Sequence, residues 1–325
     1  MIRYIHPIHK TVVTPTCSSK NEFGNLIKLH GASNKKVPDL IWPRMLAPKD
    51  KETLEEYEAM ADIYDQYAPL PFLTYQEDEV HVRNNMLDLL NLTPKSKVLE
   101  IGCGTGRGSE LIQKRLNSTG LLVLQEISPK LLAQAIHKTS SSDVPTEFSL
   151  GNGSFLPFED NFFDAAHHFG GINTFAEIPR CLTELARVVR PGGRVVVGDE
   201  GLGPWLKDTE FGKIMSNSNP LLKSKPPVKF LPSNTEHVCL RWILKGAFFL
   251  IDFTVTQSAP KANYHLKIPS ARGGSHWTRF YGNLEGVSDE AKILANDARK
   301  KAGISMHDWL DKVIKETAVR QIKQK

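Results

Sequence analysis

Short apolar runs alternate with segments of helical periodicity through the middle of the chain, over residues 97–269. Alternating strands and helices joined by short turns are typical of a mostly parallel sheet covered by helices on both faces. Before this region, apolar residues at three- and four-residue spacing predict a helix over Lys51–Tyr67, and a second helix is expected over Asp78–Leu90. After it, Ser288 and a further serine at position 305 are suited to cap two more helices. The pattern therefore predicts an α/β fold with helices added at both ends.

Two segments lack this regular pattern. Residues 1–45 show neither helical nor strand periodicity, so we expect a loosely ordered arm on the surface of the domain. Residues 201–232 are irregular but hold large apolar side chains, and long irregular segments of compact domains are usually functional or disordered. We expect an ordered cap there, near a binding site. The predicted divisions are an arm over 1–50, a main domain over 51–270, and a C-terminal loop with a helical hairpin over 271–325.

Composition argues against several classes of protein. No apolar run approaches the roughly 18 residues of a membrane-spanning helix, and the longest candidate, Ile243–Val255, is interrupted by Lys245 and Asp252. The four cysteines are scattered without C-x-x-C spacing, which favours free thiols, a reducing compartment and no zinc site. We therefore expect no metal, no membrane span and a cytoplasmic protein, with organelle targeting through the basic N-terminal arm as the alternative.

The charge of the chain is concentrated at its ends. The formal net charge is +5, and residues 1–38 and 292–325 each carry a net +5, which leaves −5 for residues 39–291. A domain with that balance lacks the basic face that nucleic-acid binding requires. We therefore expect no nucleic-acid partner.

The most informative segment is a glycine-rich turn between a predicted strand and a helix that is expected to begin near Arg107. It reads Glu100-Ile101-Gly102-Cys103-Gly104-Thr105-Gly106. Glycines let a ligand approach the backbone, and the start of a helix offers free N–H donors. The dinucleotide pattern G-x-G-x-x-G would need its third glycine at position 107 or 109, which hold arginine and serine. The carboxylate of Glu100 would repel a pyrophosphate but suits the amino group and cationic centre of S-adenosylmethionine.

This turn resembles the first motif of the class I S-adenosylmethionine-dependent methyltransferases, and further motifs follow in the order of that family. Residues 151–158 resemble its G-D-A-x-x-L-P-F segment, with Asn152 in place of the aspartate, and residues 187–197 resemble its R-V-L-x-P-G-G turn and fifth strand. Glu126 follows the second predicted strand, where an acidic residue of the family holds the ribose hydroxyls. The chain is most similar to the small-molecule ubiquinone/menaquinone C-methyltransferase-like group.

The resemblance implies a Rossmann-like sheet of seven strands, a lid formed by the N-terminal helices, and S-adenosylmethionine as cofactor, with S-adenosylhomocysteine as product. The sixth and seventh strands are expected at Phe249–Val255 and Tyr264–Ile268. The residues expected to bind the cofactor are Glu100, Gly102, Cys103, Gly104, Thr105, Gly106, Glu126, Ile127, Asn152, Gly153 and Phe169.

Candidate catalytic residues lie at the ends of the fourth and fifth strands, where open α/β sheets bind ligands. Methyl transfer from a sulfonium is an in-line displacement, so the protein mainly aligns the acceptor with the methyl group and excludes water. A general base is needed only if the acceptor arrives protonated. The candidates are His168, Asp199 and Glu200. A structural histidine and a solvated strand end are the alternative interpretations.

Acceptor binding is expected from three parts of the chain. The lid supplies Tyr64 and Tyr67, and Asn173 begins the dipeptide that replaces a histidine pair found in many relatives. An aromatic and basic segment further on suits an anionic acceptor, because the arginine fork matches a carboxylate. The candidates in that segment are Arg272, His276, Arg279 and Tyr281.

The sequence therefore predicts methyl transfer to a small molecule, with nitrogen, oxygen, carbon and sulfur all open as the accepting atom. Methyltransferases of nucleic-acid bases usually carry an N/D-P-P-Y/F tetrapeptide after the fourth strand, where this chain has His168-Phe169-Gly170-Gly171. A non-catalytic scaffold that binds partners through the C-terminal hairpin is the other alternative. The same helices are expected to make any homodimer contact.

Overall fold

The computed structural model describes residues 2–17, 23–31, 35–270, 273–282, 284 and 287–323. The chain divides into two compact units, Met1–Ala259 and Pro260–Lys325. The arm predicted over 1–50 lies inside the first unit, and the boundary predicted at residue 270 lies inside the second.

The described residues form strands β1 (Tyr4–Ile5), β2 (Val12–Val13), β3 (Asn25–Lys28), β4 (Lys36–Leu40), β5 (Lys97–Ile101), β6 (Leu121–Glu126), β7 (Thr146–Gly151), β8 (Phe163–Phe169), β9 (Val189–Glu200), β10 (Thr235–Ile243) and β11 (Phe248–Val255). Nine of these strands form one sheet in the order β10-β11-β9-β8-β5-β6-β7-β4-β3, and β1 pairs with β2. The strands from β4 to β9 run parallel, whereas β3, β11 and β10 join as antiparallel neighbours. The mostly parallel sheet is confirmed, but it has nine strands rather than seven.

The helices are α1 (Pro48–Met60), α2 (Tyr64–Tyr67), α3 (Leu70–Thr74), α4 (Glu79–Asp88), α5 (Ser109–Gln113), α6 (Pro129–Lys138), α7 (Ile178–Val188), α8 (Glu210–Ser218), α9 (His276–Tyr281), α10 (Asp289–Ala302) and α11 (Met306–Lys323). Helix α4 agrees with the helix predicted over Asp78–Leu90, and the side chain of Asp78 caps it by accepting a hydrogen bond from the backbone N–H of His81 at 2.6 Å. Helix α5 begins two residues later than the predicted start at Arg107.

The N-terminal arm supplies four short strands, and two of them, β3 and β4, join the main sheet, so the expectation of a loosely ordered surface arm was wrong there. Strand β4 extends the sheet beyond β7, and β3 pairs with β4 at the edge. Val37 and Leu40 of β4 are fully buried. Their contribution was missed because so short a strand, interrupted by Pro38, shows no clear alternation of apolar and polar residues.

The last two strands of the sheet lie earlier in the chain than predicted. The segment expected to be the sixth strand, Phe249–Val255, belongs to β11, which lies between β9 and β10. The segment Tyr264–Ile268, expected to be the seventh, is not a strand. Strand β10 was missed because it is an edge strand whose first half is mostly exposed and polar.

Helices cover both faces of the sheet because successive residues of the central strands point to opposite sides. In β5, Val98 belongs to one buried apolar cluster and Leu99 to the other. Helix α6 packs Ile136 into the first cluster, and α7 packs Leu185 into the second. This arrangement fixes the carboxyl ends of the parallel strands along one edge.

The first two helices form a lid, as predicted, but they are not the continuous helix expected over Lys51–Tyr67. The chain turns after Met60, where the carbonyl of Ala61 accepts a hydrogen bond from Gln134 Nε2 at 2.8 Å. Glu58 of α1 accepts a hydrogen bond from Ser128 Oγ at 2.5 Å, which fastens α1 to the start of α6. The turn directs α2 toward the glycine-rich segment.

Residues 201–232 are ordered, with α8 and three short 3-10 turns. The backbone N–H of Leu202 donates to the carbonyl of Leu222 at 2.8 Å, and Leu222 is buried. This segment therefore closes back on the end of β9.

The second unit holds α9, α10 and α11. Ser288 caps α10 and Gly303 ends it with a φ of 67°, as predicted from the sequence. Ser305 accepts a hydrogen bond from the backbone N–H of Asp308 at 3.1 Å, in the place predicted for a second cap. Helix α9 was not predicted. No described helix combines the length and the apolar character needed to cross a bilayer.

Candidate active site

The glycine-rich turn leaves the end of β5 and passes close to both a lid helix and α6. A Cβ atom at Gly104 would lie 3.7 Å from the ring of Tyr64, and one at Gly106 would lie 3.1 Å from Cα of Ala135. Both glycines have positive φ, 55° and 85°. Backbone conformation therefore favours glycine at both positions, and close packing against Ala135 adds to this requirement at Gly106.

Glu126 lies at the end of β6, beside the turn. Its Oε2 accepts a hydrogen bond from the backbone N–H of Gly104 at 2.8 Å, and its Oε1 accepts from the N–H groups of Ile127 at 2.8 Å and Ser128 at 3.0 Å. Burial raises the pKa of this carboxyl, and the three N–H donors oppose that shift. A carboxylate accepts about four hydrogen bonds, so Glu126 has capacity left for a hydroxyl group.

A first cavity is enclosed by the glycine turn, the β6–α6 turn, the end of β7 and the lid. It holds about 570 Å³ of empty space, and Gly102, Gly104, Glu126, Ile127, Asn152 and Gly153 line it. The sequence placed all six of these residues in the cofactor site, and the fold brings them together.

Asp50 of α1 completes this cavity and was not predicted from the sequence. Its Oδ2 accepts a hydrogen bond from Asn152 Nδ2 at 3.0 Å, and its Oδ1 accepts from the backbone N–H of Ala176 at 2.8 Å. Asn152 Oδ1 in turn accepts from the N–H of Ser154 at 2.9 Å. The lid and the β7 loop are thus joined through buried side chains, which fixes the orientation of the Asn152 amide.

A second cavity lies on the other side of the glycine turn. Glu100, Cys103, Thr105 and Phe169, all predicted cofactor residues, line it together with Arg83 and His167. Glu100 Oε2 accepts a hydrogen bond from Ser109 Oγ at 2.5 Å, and its Oε1 lies 3.4 Å from His167 Nδ1. Burial raises the pKa of the Cys103 thiol well above its usual range, so the thiol stays protonated and unreactive.

Arg83 of α4 is the second site residue that sequence reasoning missed. Its Nε donates to Glu79 Oε1 at 2.8 Å, and its guanidinium lies 5.3 Å from the ring centroid of Phe72 and 5.7 Å from that of Phe169. A second guanidinium, that of Arg107, also lines this cavity and is paired with Glu79. The cavity therefore presents the carboxylate of Glu100 together with the guanidinium of Arg83. That pair matches the ammonium and carboxylate of an amino acid.

A third cavity opens at the ends of β8 and β9 and is rich in aromatic side chains. The aromatic residues that line it are Tyr57, Tyr64, Tyr67, Phe72, Phe169 and Phe248. The charged side chains among its lining residues are Arg83 and Glu200. Tyr64 and Gly170 line all three cavities. The three cavities therefore meet beneath the lid helix α2.

His168 is buried against the first cavity. Its Nδ1 lies 2.8 Å from the carbonyl oxygen of Ile101 and donates to it, which leaves a lone pair on Nε2. Nε2 has no hydrogen-bond partner among the described residues. Burial lowers the pKa of His168 to about 4. The imidazole is therefore neutral near pH 7 and offers an acceptor to a ligand.

The two carboxyl groups at the end of β9 differ in position. Asp199 is fully buried, lines none of the three cavities, and accepts hydrogen bonds from the backbone N–H groups of Asn173 at 2.6 Å and Glu200 at 2.8 Å. Burial and the adjacent carboxyl of Glu200 raise the pKa of Asp199 well above its ordinary value. Asn173 Nδ2 donates to the carbonyl of Glu200 at 2.7 Å. Asp199 and Asn173 thus hold the strand end, while Glu200 faces the third cavity.

The remaining predicted acceptor residues belong to the second unit, and Arg272 lies outside the described residues. Arg279 donates to the carbonyl of Gly273 at 2.8 Å and to Ser270 Oγ at 2.9 Å. The ring of Tyr281 lies 4.4 Å from that of Trp277, and His276 begins α9. The guanidinium of Arg279 therefore braces its own loop.

Comparisons with known proteins agree with this geometry. Residues 99–197 match the family model described as a methyltransferase domain. The 2-phytyl-1,4-naphtoquinone methyltransferase of Synechocystis sp. is 34% identical over 110 residues, which are 33% of this chain and 46% of that protein. The demethylmenaquinone methyltransferase of Bacillus cereus is 27% identical over 153 residues, 47% of this chain and 63% of that protein. The chain thus spans about half the length of the curated relatives it matches.

A solved structure supports the fold alone. The phosphoethanolamine N-methyltransferase 2 of Haemonchus contortus, in complex with S-adenosyl-L-methionine, aligns with a TM-score of 0.51 at 13% identity, over 69% of this chain and 62% of that one. Residues 99–197 thus form a methyltransferase domain, and the fold and the glycine-turn motif agree with S-adenosylmethionine as its cofactor. Over the aligned segments, the chain is similar to the quinone methyltransferases named above.

Proposed function

We propose that this chain binds S-adenosylmethionine across the first and second cavities and transfers its methyl group to a small molecule held in the third cavity. The observation that carries the proposal is the junction beneath α2, where Tyr64 and Gly170 line all three spaces. A donor that fills the first two cavities would reach the third at this point. The supporting comparison is the methyltransferase family model over residues 99–197.

The buried polar groups of the first two cavities suit the parts of this cofactor. Glu126 has lone pairs left for the ribose hydroxyls, and the unpartnered Nε2 of His168 offers another acceptor in the same cavity. Glu100 and Arg83 present opposite charges to the methionine ammonium and carboxylate. Cys103, Thr105 and Phe169 line the same cavity and would contact the methionine end of the cofactor.

Catalysis would then depend on alignment and on the exclusion of water. When bound, S-adenosylmethionine supplies a methyl group on a sulfonium, which is already a good leaving group. The lid closes over the junction, since α1 is fastened through Glu58 and α2 through the 2.6 Å hydrogen bond from Thr105 Oγ1 to Asp65. Tyr57, Tyr64 and Tyr67 cover the acceptor side. Holding the two reactants in line is worth several orders of magnitude in rate.

A small acceptor is favoured over a nucleic acid by two features. The third cavity is walled by aromatic side chains of the first unit, and residues 39–291 carry a net −5, counted from the sequence. A cytoplasmic location and a homodimer contact through the C-terminal helices belong to the same proposal and rest on the sequence alone.

The proposal is tested by methyl transfer from S-adenosylmethionine labelled in its methyl group to a panel of small amines, phenols, enols, carboxylic acids and thiols. We expect transfer to one chemical class, and loss of transfer in the Glu126→Ala variant. A protein that binds S-adenosylhomocysteine but transfers no methyl group to the panel would favour the scaffold alternative. A protein that binds neither form of the cofactor would contradict the proposal altogether.

A further inference from the structure

We propose that the third cavity binds a protonated amine, held between the carboxylate of Glu200 and the faces of three tyrosines, so that the accepting atom is nitrogen. This inference rests on the proposed function, because it names the class of acceptor for the same site. The three tyrosines are Tyr57 and Tyr64 of the lid, with Tyr67 at the end of α2.

The aromatic lining has the composition of a site for an ammonium group. A cation over a tyrosine face is attracted by the ring quadrupole, and aromatic cages of this kind bind alkylated ammonium groups. The rings of Tyr57 and Tyr64 lie 6.0 Å apart at 68°, so two rings meet edge to face at the junction of the cavities. Burial raises the pKa of Tyr64 to about 12, which keeps its phenol uncharged. The tyrosines therefore supply neutral π faces.

Glu200 supplies the negative charge of this cavity. No lysine, arginine or histidine of the described ranges forms an ion pair with it. The neighbouring Asp199 is fully buried, and burial together with the adjacent carboxyl of Glu200 raises its pKa well above its ordinary value. Asp199 does not line the cavity, so Glu200 is the carboxyl group at the cavity wall, without a cationic partner among the described residues.

Arg83 does not reverse the charge preference of the cavity. Its Nε is paired with Glu79 at 2.8 Å, and its guanidinium lies over the rings of Phe72 and Phe169. It also lines the second cavity, where the cofactor carboxylate would take its remaining donors. Because Arg83 is paired with Glu79 and would bind the cofactor carboxylate, Glu200 is the charged residue of the third cavity that is left to bind an acceptor.

The chemical step follows from this arrangement. The acceptor ammonium gives a proton to the Glu200 carboxylate, and the freed nitrogen lone pair forms the bond to the methyl carbon. The carbon–sulfur bond breaks with its electron pair left on sulfur, so the positive charge of the sulfonium passes to the methylated ammonium. This product is again a cation suited to the tyrosine faces. Gly170 and Gly171 also line the cavity and carry no side chain that would fill it.

The test uses a probe that does not depend on knowing the acceptor. Binding of choline, a quaternary ammonium, to the complex with S-adenosylhomocysteine is compared with binding of its neutral isostere 3,3-dimethyl-1-butanol. We expect at least a tenfold preference for choline. Glu200→Gln should reduce that preference several-fold, to the part that the tyrosine faces supply, whereas Glu236→Gln, at an exposed position of β10, should keep it in full. Tyr67→Leu, which removes one ring face from a half-exposed side chain, should weaken choline binding several-fold even if Glu200→Gln folds poorly.

Affinity for S-adenosylhomocysteine, measured separately, distinguishes the two levels of the proposal. If the cofactor product binds and choline is not preferred, the amine inference is overturned while the proposed function stands. Methyl transfer confined to phenols, carboxylic acids or thiols has the same consequence. If the cofactor product does not bind, the proposed function and the amine inference are both contradicted. Transfer to a primary amine with a raised KM for the amine in Glu200→Gln would support both.

Discussion

The backbone N–H of Gly104 donates to Glu126 Oε2 at 2.8 Å, which joins two residues that are 22 positions apart in the chain. The contact ties the glycine turn after β5 to the end of β6. It holds the carboxylate at the wall of the first cavity while leaving lone pairs for a ligand. The same contact explains why a buried carboxyl is tolerated there, because its charge is met by backbone dipoles.

Replacement of Glu126 should weaken cofactor binding strongly. Glu126→Ala removes the acceptor for the ribose hydroxyls and leaves three backbone N–H groups without their partner. Hydrogen bonds to a charged group are worth about 1.5–3 kcal/mol, so we expect the Kd for S-adenosylhomocysteine to rise at least about tenfold in equilibrium dialysis. Glu52→Ala, an exposed glutamate on the same lid helix as Tyr57, is the control. Equal affinities of both variants would remove Glu126 from the site.

Arg83 is predicted to bind the carboxylate end of the cofactor. Arg83→Ala should weaken the binding of S-adenosylhomocysteine by about ten- to a hundredfold, the effect of one charged hydrogen bond. The affinity for 5′-methylthioadenosine should be nearly unchanged, because that molecule lacks the amino-acid end. Arg180→Ala, at an exposed position, controls for loss of charge. An equal loss of affinity for both ligands would indicate that Arg83 acts through the folding of α4 instead.

His168 should make the protein sensitive to acid. Its folded-state pKa of about 4 is below the ordinary value of 6.5, so the unfolded chain binds the proton more readily and stability is lost as pH falls from 6.5 toward 4. The difference corresponds to about 3 kcal/mol at the acid end. His168→Gln should lose less stability over this range in urea unfolding. His137→Gln, at an exposed position, should show the same pH dependence of the free energy of unfolding as the wild type.

Asp199 should have the opposite effect on how the free energy of unfolding depends on pH. Its folded-state pKa is raised, so its contribution to stability is present below the unfolded-state pKa and is lost as pH rises toward the folded-state value. Asp199→Asn removes the titration but also one acceptor for a backbone N–H. We therefore expect the free energy of unfolding of this variant, relative to wild type, to improve steadily from pH 4 to pH 8. An unchanged difference across that range, as expected for the exposed control Asp208→Asn, would contradict the assignment.

Two glycine variants separate backbone strain from crowding. Gly170 has a φ of 80° and open space around it, so Gly170→Ala should cost about 1–2 kcal/mol from conformation alone. Gly106 has a φ of 85°, and its Cβ would also lie 3.1 Å from Cα of Ala135. Gly106→Ala should cost at least about 1 kcal/mol more, because backbone atoms do not move aside as a side chain does. Equal Tm values for the two variants would show that the turn has room to adjust.

The predicted cofactor residues Glu126 and Asn152 line the same cavity because they lie at the carboxyl ends of the parallel strands β6 and β7. Glu126 was predicted from its place after the second strand, and Asn152 from the motif resemblance over residues 151–158. Asp50 and Arg83 were missed because they lie on helices before the first motif, and packing decides which way those helices face. No spacing rule connects Asp50 with a side chain 102 positions away.

The edges of the sheet were predicted less well than its centre for a physical reason. Central parallel strands are buried on both faces and give continuous apolar runs. Strand β10 is exposed over Glu236 and His237, and β4 joins β7 through only two residue pairs. Such strands are specified by backbone pairing, which leaves little trace in the pattern of side chains.

Calorimetric titration of the purified full chain with S-adenosylmethionine and S-adenosylhomocysteine tests the central claim most directly. We expect one molecule of either ligand to bind per chain with a Kd near the micromolar range, about −8 kcal/mol. Absence of binding heat, together with an unchanged Tm at saturating ligand, would contradict the assignment of the first and second cavities to the cofactor.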